Sequence, residues 1–224
     1  SEPVNPKPRL IVKNLNVCDK DGVARLCDVN FTAYSGEILG VAGISGSGQK
    51  ELLEAIAGLQ NCRDCSTIEF ISEKGEKKLI SGMHPLDIKN LGVALAFVPE
   101  DRLGMGLVGS MNLTDNMMLR SYRDGKGPIA NRKAPKKLAE TVVHDLEVVT
   151  PSINTPVRRL SGGNVQKVLV GREIAMQPQL LMSAYAVRGL DINTSYNIYH
   201  LLSEQKERGA AVIFVGEDLD VLLE

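Results

Sequence analysis

The segment ILGVAGISGSGQK, residues 38–50, decides the fold of this 224-residue chain. Its first five residues form a continuous apolar run, which is typical of a β-strand covered on both faces. Glycines that let a backbone turn sharply follow at Gly43, Gly46 and Gly48. Apolar side chains then recur at helical spacing, at Leu52, Ile56 and Leu59. The pattern predicts a buried strand, a glycine-rich loop and a helix in succession.

A glycine-rich loop between a strand and a helix is the setting of a phosphate-binding P-loop. Its backbone N–H groups point inward at an anion, and the helix N-terminus adds its dipole. We therefore expect these residues to line a nucleotide site: Gly43, Ser45, Gly46, Ser47, Gly48, Gln49 and Lys50. A P-loop places lysine and then serine or threonine after its last glycine, but here Gln49 and Lys50 stand there. Gln49 brings no charge, whereas Lys50 either opposes Mg²⁺ or neutralises phosphate directly.

Further apolar runs follow along the chain, and amphipathic helical patterns alternate with them. The runs cover residues 93–98, 180–182 and 210–215, and the helical patterns cover 138–146, 165–169 and 193–208. We expect Asn193 or Thr194 to cap the last helix and Gly209 to end it. Strands that alternate with helices predict an α/β fold with a mostly parallel, doubly wound sheet.

Two β-type stretches precede this core, and a helical stretch interrupts it. Residues 11–17 and 23–34 are separated by Asp21-Gly22, which predicts an N-terminal antiparallel hairpin. Strand-like runs disappear after Asp101, and we interpret 101–164 as an inserted helical subdomain. The predicted domain organisation is a linker, 1–8, and one domain, 9–224, whose core consists of 9–100 and 165–224.

Composition and charge exclude several classes of protein. A hydrophobic content of 43% and a charged content of 24% fit a soluble domain with a real core. The formal net charge of −1 argues against nucleic acid as a partner, because phosphate-backbone binding needs a basic surface. No apolar run approaches the ~20 residues needed to cross a bilayer. The N-terminus lacks the pattern of a signal peptide, so we expect a cytoplasmic location.

The chain has four cysteines, Cys18, Cys27, Cys62 and Cys65. The last two form a CxxC pair, which could be a redox pair or half of a metal site. Zinc would need a second closely spaced pair of Cys or His, and the sequence has none. Cys18 and Cys27 lie in or beside predicted strands and are interpreted as small hydrophobes. We therefore expect reduced structural or surface thiols, with the role of the CxxC pair left open.

A second motif, LSGGNVQK, occupies residues 160–167. Ser161 by itself could simply cap a helix. The whole string resembles the signature motif of ATP-binding cassette (ABC) ATPases, and in particular of sugar and nucleoside importers whose ATPase subunit fuses two cassettes. Further stretches are similar to motifs of that family, namely residues 35–38, 98–102, 106–108 with Asn116, 188–191 and 217–220.

The resemblance implies a P-loop NTPase fold with an ABC-type helical insertion, and ATP as ligand. In this family ATP lies between two cassettes, and each P-loop faces the signature loop of the other. Ser161, Gly162 and Gly163 would then meet the γ-phosphate of ATP held by a partner cassette. Asp191, in the segment that resembles the D-loop, is counted with these nucleotide-binding residues. The resemblance also implies transmembrane permease subunits at the cytoplasmic membrane face. It further implies a C-terminal end, at Glu224, that precedes the last elements of such domains.

The positions that carry catalysis in the family are altered here. Counting back from Asp191 places the two acidic Walker B residues at Ala184 and Tyr185, which can neither complete a magnesium shell nor polarise water. Glu217 stands where a histidine is expected, and Glu100 replaces the glutamine of the Q-loop. We therefore assign no catalytic residue and no metal ligand, and we expect this site to hydrolyse ATP very poorly.

Together these features predict the second, degenerate cassette of a bacterial import ATPase for simple sugars or nucleosides. It would complete a partner's ATP site through residues 161–163. One alternative is an active homodimeric ATPase in which Lys50, with Glu217 or Glu100, replaces the missing groups. Another is a pure interaction module that binds no nucleotide. The transported substrate is left open.

Overall fold

The computed structural model describes residues 5–43, 46–97, 109–121 and 133–216, and the structural statements below refer to these. They form two compact units. The sheet unit contains the described residues up to Ala96, Gln177–Tyr185, and those from Tyr199 onward. The helical unit contains the described residues of Phe97–Met176 together with Ala186–Ile198. The predicted boundaries of the helical insertion, 101–164, stay a prediction.

A four-stranded sheet with the order β3-β8-β7-β6 carries the predicted phosphate-binding loop. Its strands are β3 (Ile38–Ala42), β6 (Val93–Phe97), β7 (Leu180–Ala184) and β8 (Ala211–Gly216). β8 pairs in parallel with both β3 and β7. Every residue of β7 and β8 is buried, as expected for strands covered on both faces. The parallel sheet predicted from the apolar runs is confirmed. The burial predicted for β3 is wrong, because β3 lies at the end of this strand order and its residues are half-buried or exposed.

A second four-stranded sheet is antiparallel and has the order β2-β1-β4-β5. Its strands are β1 (Pro8–Cys18), β2 (Ala24–Tyr34), β4 (Thr67–Ile71) and β5 (Lys77–Leu79). The predicted hairpin of β1 and β2 is confirmed, and Asp19 Oδ1 shapes its turn by accepting the N–H groups of Asp21 and Val23. β4 and β5 are not predicted from the sequence. β5 has only three residues and all are exposed, whereas the short apolar pattern of β4 was not recognised as a strand.

The helices among the described residues are α1 (Gln49–Ile56), α2 (Pro85–Asn90), α3 (Leu113–Ser121), α4 (Lys133–Asp145), α5 (Gly162–Ile174) and α6 (Ile192–Glu207). Two details of the prediction are wrong. Leu59 lies beyond the end of α1 and is 59% exposed, so it is not part of the apolar helix face. Asp191, not Asn193 or Thr194, occupies the cap position of α6, since its Oδ1 accepts the N–H of Thr194.

Within the helical unit, α4 and α5 approach each other closely at Gly171. A methyl group on Gly171 would lie 2.4 Å from Leu146 Cδ1 and 3.0 Å from Val142 Cγ1. The missing side chain therefore sets the distance between the two helices. No helix in the described part of the chain combines the length and the apolar character of a membrane span.

Candidate functional site

The predicted P-loop connects β3 to α1 in the sheet unit. Gly48 has a φ of 95°, a left-handed conformation that favours glycine, and it precedes the first residue of α1. A methyl group on Gly48 would lie 2.6 Å from the carbonyl oxygen of Arg25 on β2. Both the turn and the contact with β2 therefore require glycine here. Ser45 lies outside the described residues.

The side chain of Gln49 folds back over the loop that precedes it. It is 5% exposed, and its Oε1 accepts the backbone N–H of Ser47 at 3.1 Å. Its Nε2 lies so close to Gly43 that a methyl group there would be 2.1 Å away. In a P-loop the backbone N–H groups of this stretch point at phosphate. The carboxamide of Gln49 therefore occupies part of the space, and takes one of the donors, that an anion would use.

Lys50, the second residue of α1, extends along the helix. Its Nζ lies 3.7 Å from Glu54 Oε1, one helical turn further on. Burial raises the pKa of Glu54, and the charge of Lys50 opposes this rise. The ammonium group that could neutralise phosphate directly is thus engaged with a carboxylate.

Ala184 and Tyr185, the predicted Walker B positions, lie at the same edge of the parallel sheet as the P-loop. Val41 and Ala184 both pair with Val215, one on each side of β8, so the two are roughly 10 Å apart. Ala184 is fully buried, while Tyr185 is nearly so and has a φ of 56°, which is uncommon for a bulky residue. The fold brings the two motifs together, but neither position carries a carboxylate.

The motif of residues 160–167 forms the start of α5 in the helical unit. Ser161 is the N-cap residue, and its Oγ accepts the backbone N–H and the side-chain Nδ2 of Asn164 at 3.4 and 2.9 Å. Asn164 Oδ1 in turn accepts the N–H of Val149 at 3.0 Å. Asn164 is part of the sequence motif, but the motif does not reveal that this side chain links Ser161 to the backbone of Val149.

Gly163 lacks a side chain although its own surroundings would accept one. A methyl group there would lie 3.5 Å from Thr194 Cγ2 and 3.6 Å from Leu190 Cδ2, which are ordinary contact distances. Packing within the helical unit therefore does not require glycine at this position. The bare backbone at the start of α5 is compatible with the close approach of a ligand.

Asp191, which the sequence analysis grouped with the nucleotide-binding residues, uses both carboxylate oxygens within the helical unit. Oδ1 accepts the N–H of Thr194 at 3.0 Å, and Oδ2 accepts its hydroxyl at 2.6 Å. These hydrogen bonds, first that of the Thr194 side chain, lower the pKa of Asp191. In the structure Asp191 caps the start of α6. A contact between Asp191 and nucleotide stays a prediction.

Two further predicted residues, Glu100 and Glu217, lie outside the described residues. In the part of the chain that the structure describes, no group of three or more Cys, His, Asp or Glu side chains is arranged to hold a metal ion. The sheet unit carries a glycine-rich turn partly occupied by Gln49 and a strand end without carboxylates. The helical unit carries a helix start capped by Ser161.

A parallel sheet with a glycine-rich loop between β3 and α1 defines the chain as a P-loop nucleotide-binding fold. Residues 26–183 match the ABC transporter family. The chain belongs to this family.

Relatives among characterised proteins are import ATP-binding proteins. The chain is 33% identical over 219 residues to the guanosine import ATP-binding protein NupO of Bacillus subtilis (strain 168), covering 96% of this chain and 41% of that protein. It is 32% identical over 222 residues to the ribose import ATP-binding protein RbsA 1 of Mesorhizobium japonicum, covering 99% of this chain and again 41% of the relative. The chain thus spans less than half the length of these relatives.

Solved structures agree on the fold. The dimeric structure of a post-hydrolysis state of the ATP-binding cassette MJ0796, bound to ADP and Pi, superposes with a TM-score of 0.77. The match covers 95% of this chain and 90% of that one, at 22% sequence identity. The predicted ABC-type P-loop NTPase fold is confirmed.

Proposed function

We propose that this chain is a nucleotide-binding cassette of an importer for simple sugars or nucleosides, and that it acts on ATP bound by a partner cassette. The names of NupO and RbsA 1 as guanosine and ribose import proteins support the substrate class. The cassette would work at the cytoplasmic membrane face against transmembrane subunits. A partner cassette in the same polypeptide would agree with relatives more than twice as long as this chain.

The position of Gln49 is the main observation against ATP binding in the chain's own P-loop. ATP would have to displace the Gln49 carboxamide from the Ser47 N–H before its phosphate could settle there. The loop also lacks the lysine charge at this position, whose attraction to phosphate is worth up to ~4 kcal/mol at 4 Å and an effective dielectric near 20, before desolvation. The residues present therefore fit a triphosphate poorly.

Magnesium fits the same site no better. Ala184 and Tyr185 offer no carboxylate to the metal's hydration shell or to an attacking water. We therefore derive no hydrolytic step at this P-loop.

Residues 161–163 offer hydrogen-bond donors to a phosphate group. A serine hydroxyl has one donor and two acceptor sites, and both hydrogen bonds of Ser161 Oγ with Asn164 use it as acceptor. Its O–H proton is thus available to a phosphate oxygen of a ligand outside this chain. The backbone N–H groups at the start of α5 and the helix dipole favour an anion at the same place.

The test separates the cap of α5 from the donated proton. Ser161→Asp keeps a side-chain oxygen that caps the helix, but it removes the O–H donor and adds negative charge. Ser161→Thr keeps both the cap and the donor. ATP turnover would be measured with the full-length protein assembled with its membrane subunits.

We expect Ser161→Asp to lower kcat on the order of 10²-fold or more, as the loss of one donor to a developing oxyanion does. Ser161→Thr should stay close to wild type, and urea unfolding of both variants checks that α5 is intact. Normal turnover by a folded Ser161→Asp protein would sink the proposal. Turnover by this chain alone would instead support the active homodimer.

The Gln49 contact also favours a second candidate, in which this chain's own loop holds no nucleotide at all. Thermal unfolding in the presence of ATP, ADP or pyrophosphate decides between the two. A ligand at 100 times its Kd stabilises the folded state by about 2.7 kcal/mol. The absence of any shift at millimolar nucleotide would leave a module that acts only through residues 161–163.

A further inference from the structure

Arg63, in the segment between α1 and β4, lies beside a cysteine at the end of β1. Its guanidinium Nη2 is 3.1 Å from Cys18 Sγ. The Arg63 backbone N–H donates to the carbonyl of Asn16 at 2.9 Å, and Gln60 Nε2 donates to the carbonyl of Cys18 at 3.3 Å. Several hydrogen bonds thus hold this segment against the strand that carries Cys18.

Two further thiols lie near enough to act electrostatically on the same guanidinium. Cys18 and Cys27 directly follow Val17 and Leu26, which pair across the hairpin and are buried, but Cys18 is only half-buried and Cys27 is exposed. Cys65 Sγ lies 3.5 Å from the side-chain nitrogen of Asn16, two residues before Cys18. The pKa of Arg63 is raised, first by its hydrogen bond with Cys18 and also by attraction from Cys65 and Cys27.

Neither packing nor a metal explains this cluster. Cys27 and Cys65 are exposed and Cys18 is half-buried, as surface thiols would be, so Cys18 and Cys27 do not pack as small hydrophobes. All four thiols are free. The described residues include no set of side chains arranged to hold a metal ion. What remains is a half-buried thiol in direct contact with the guanidinium of Arg63.

We propose that Cys18 is a site of thiol–disulfide exchange with anionic low-molecular-weight disulfides of the glutathione type, and that Arg63 positions and stabilises the reaction. The Cys18 thiolate attacks one sulfur of glutathione disulfide, whose S–S bond breaks. A mixed disulfide forms on Cys18, and one glutathione thiolate leaves and takes a proton from water. Cys18 is oxidised, and one half of the glutathione disulfide is reduced.

Arg63 contributes in two ways. Negative charge spreads over three sulfur atoms in the transition state of this exchange, and a guanidinium 3.1 Å from Cys18 Sγ stabilises it. The same cation attracts the carboxylates of glutathione as they approach. This site is independent of the nucleotide role proposed above.

The experiment treats the purified, reduced protein with glutathione disulfide and follows adducts by peptide mass spectrometry. We expect Cys18 to be modified first of the four cysteines. Arg63→Gln should slow its modification on the order of tenfold, while Arg63→Lys, which keeps the charge, should restore part of the rate. The matched control is Arg25→Gln, which removes another hairpin cation that pairs with Asp19 at 2.9 Å and should leave the rate unchanged.

A neutral reagent separates charge stabilisation from a merely structural effect. With 2-hydroxyethyl disulfide the penalty of Arg63→Gln should be smaller, because attraction of carboxylates no longer contributes, and added salt should slow only the glutathione reaction. Circular dichroism checks that each variant folds. Equal rates at Cys18, Cys27 and Cys65 would overturn the proposal, as would an unchanged rate in Arg63→Gln.

Discussion

Replacing Gln49 with alanine is expected to lower the free energy of unfolding of the unliganded protein slightly and to strengthen its binding of nucleotide. The substitution removes the acceptor of the Ser47 N–H, and an intramolecular hydrogen bond of this kind contributes about 1 kcal/mol to stability. ATP no longer has to displace that bond. Because 1.4 kcal/mol corresponds to a tenfold change in affinity, the Kd for ATP should fall at least about fivefold.

Two measurements on the same samples check this prediction. Urea unfolding gives the free energy of unfolding, and isothermal titration gives the Kd for ATP and for pyrophosphate, with and without Mg²⁺. Gln49→Glu is the matched control, because its carboxylate still accepts the Ser47 N–H but repels phosphate. This control should bind no more nucleotide than the wild type does.

Competition between the Gln49 side chain and phosphate is refuted if Gln49→Ala binds ATP no more tightly than Gln49→Glu. The same competition is refuted if the wild type already binds ATP as tightly as Gln49→Ala does. In either case the carboxamide would not compete with phosphate for the loop.

Two further predictions concern the helical unit, and thermal unfolding checks both. Gly171→Ala should destabilise the protein by about 1–3 kcal/mol, because the added methyl group meets Leu146 Cδ1 at 2.4 Å; unchanged stability would show that α4 and α5 can move apart freely. Asp191→Ala should lower the Tm near neutral pH by removing the cap of α6. Since the folded pKa of Asp191 is lowered, its contribution is present above the unfolded value of about 3.9 and is lost as pH falls through the folded pKa. The difference from wild type should therefore shrink in acid, and a constant difference would contradict the capping role.

Much of the fold could be predicted from the sequence because its strands carry a strong local signal. The central strands β7 and β8 are buried throughout and apolar except for Ser183, and no amphipathic helix produces such a run. By contrast, β5 is held by its pairing with β4 and has no apolar face of its own. Leu59 was included in a helix that ends before it. An apolar residue at helical spacing carries no information on where the helix stops.

The sequence could indicate where the candidate residues lie in the fold, but not which contacts they make. Counting residues placed Ala184 and Tyr185 at the end of β7, where the structure has them. The fold of the Gln49 side chain over Gly43 and the hydrogen bond from Val149 to Asn164 depend on rotamers and on loop geometry, which a sequence motif does not specify. The contact of Arg63 with Cys18 joins segments that are distant in the sequence, and no local pattern predicts it.

A substitution that restores the P-loop lysine should therefore increase ATP binding without restoring ATP hydrolysis. Gln49→Lys would return a positive charge to the loop and remove the carboxamide, and both changes favour a triphosphate. The end of β7 would still present alanine and tyrosine, and the absence of a general base alone costs typically ~10²–10⁴ in rate. A repaired loop should then hold ATP without splitting it, because the loop between β3 and α1 would supply the phosphate affinity, whereas water activation would have to come from the end of β7.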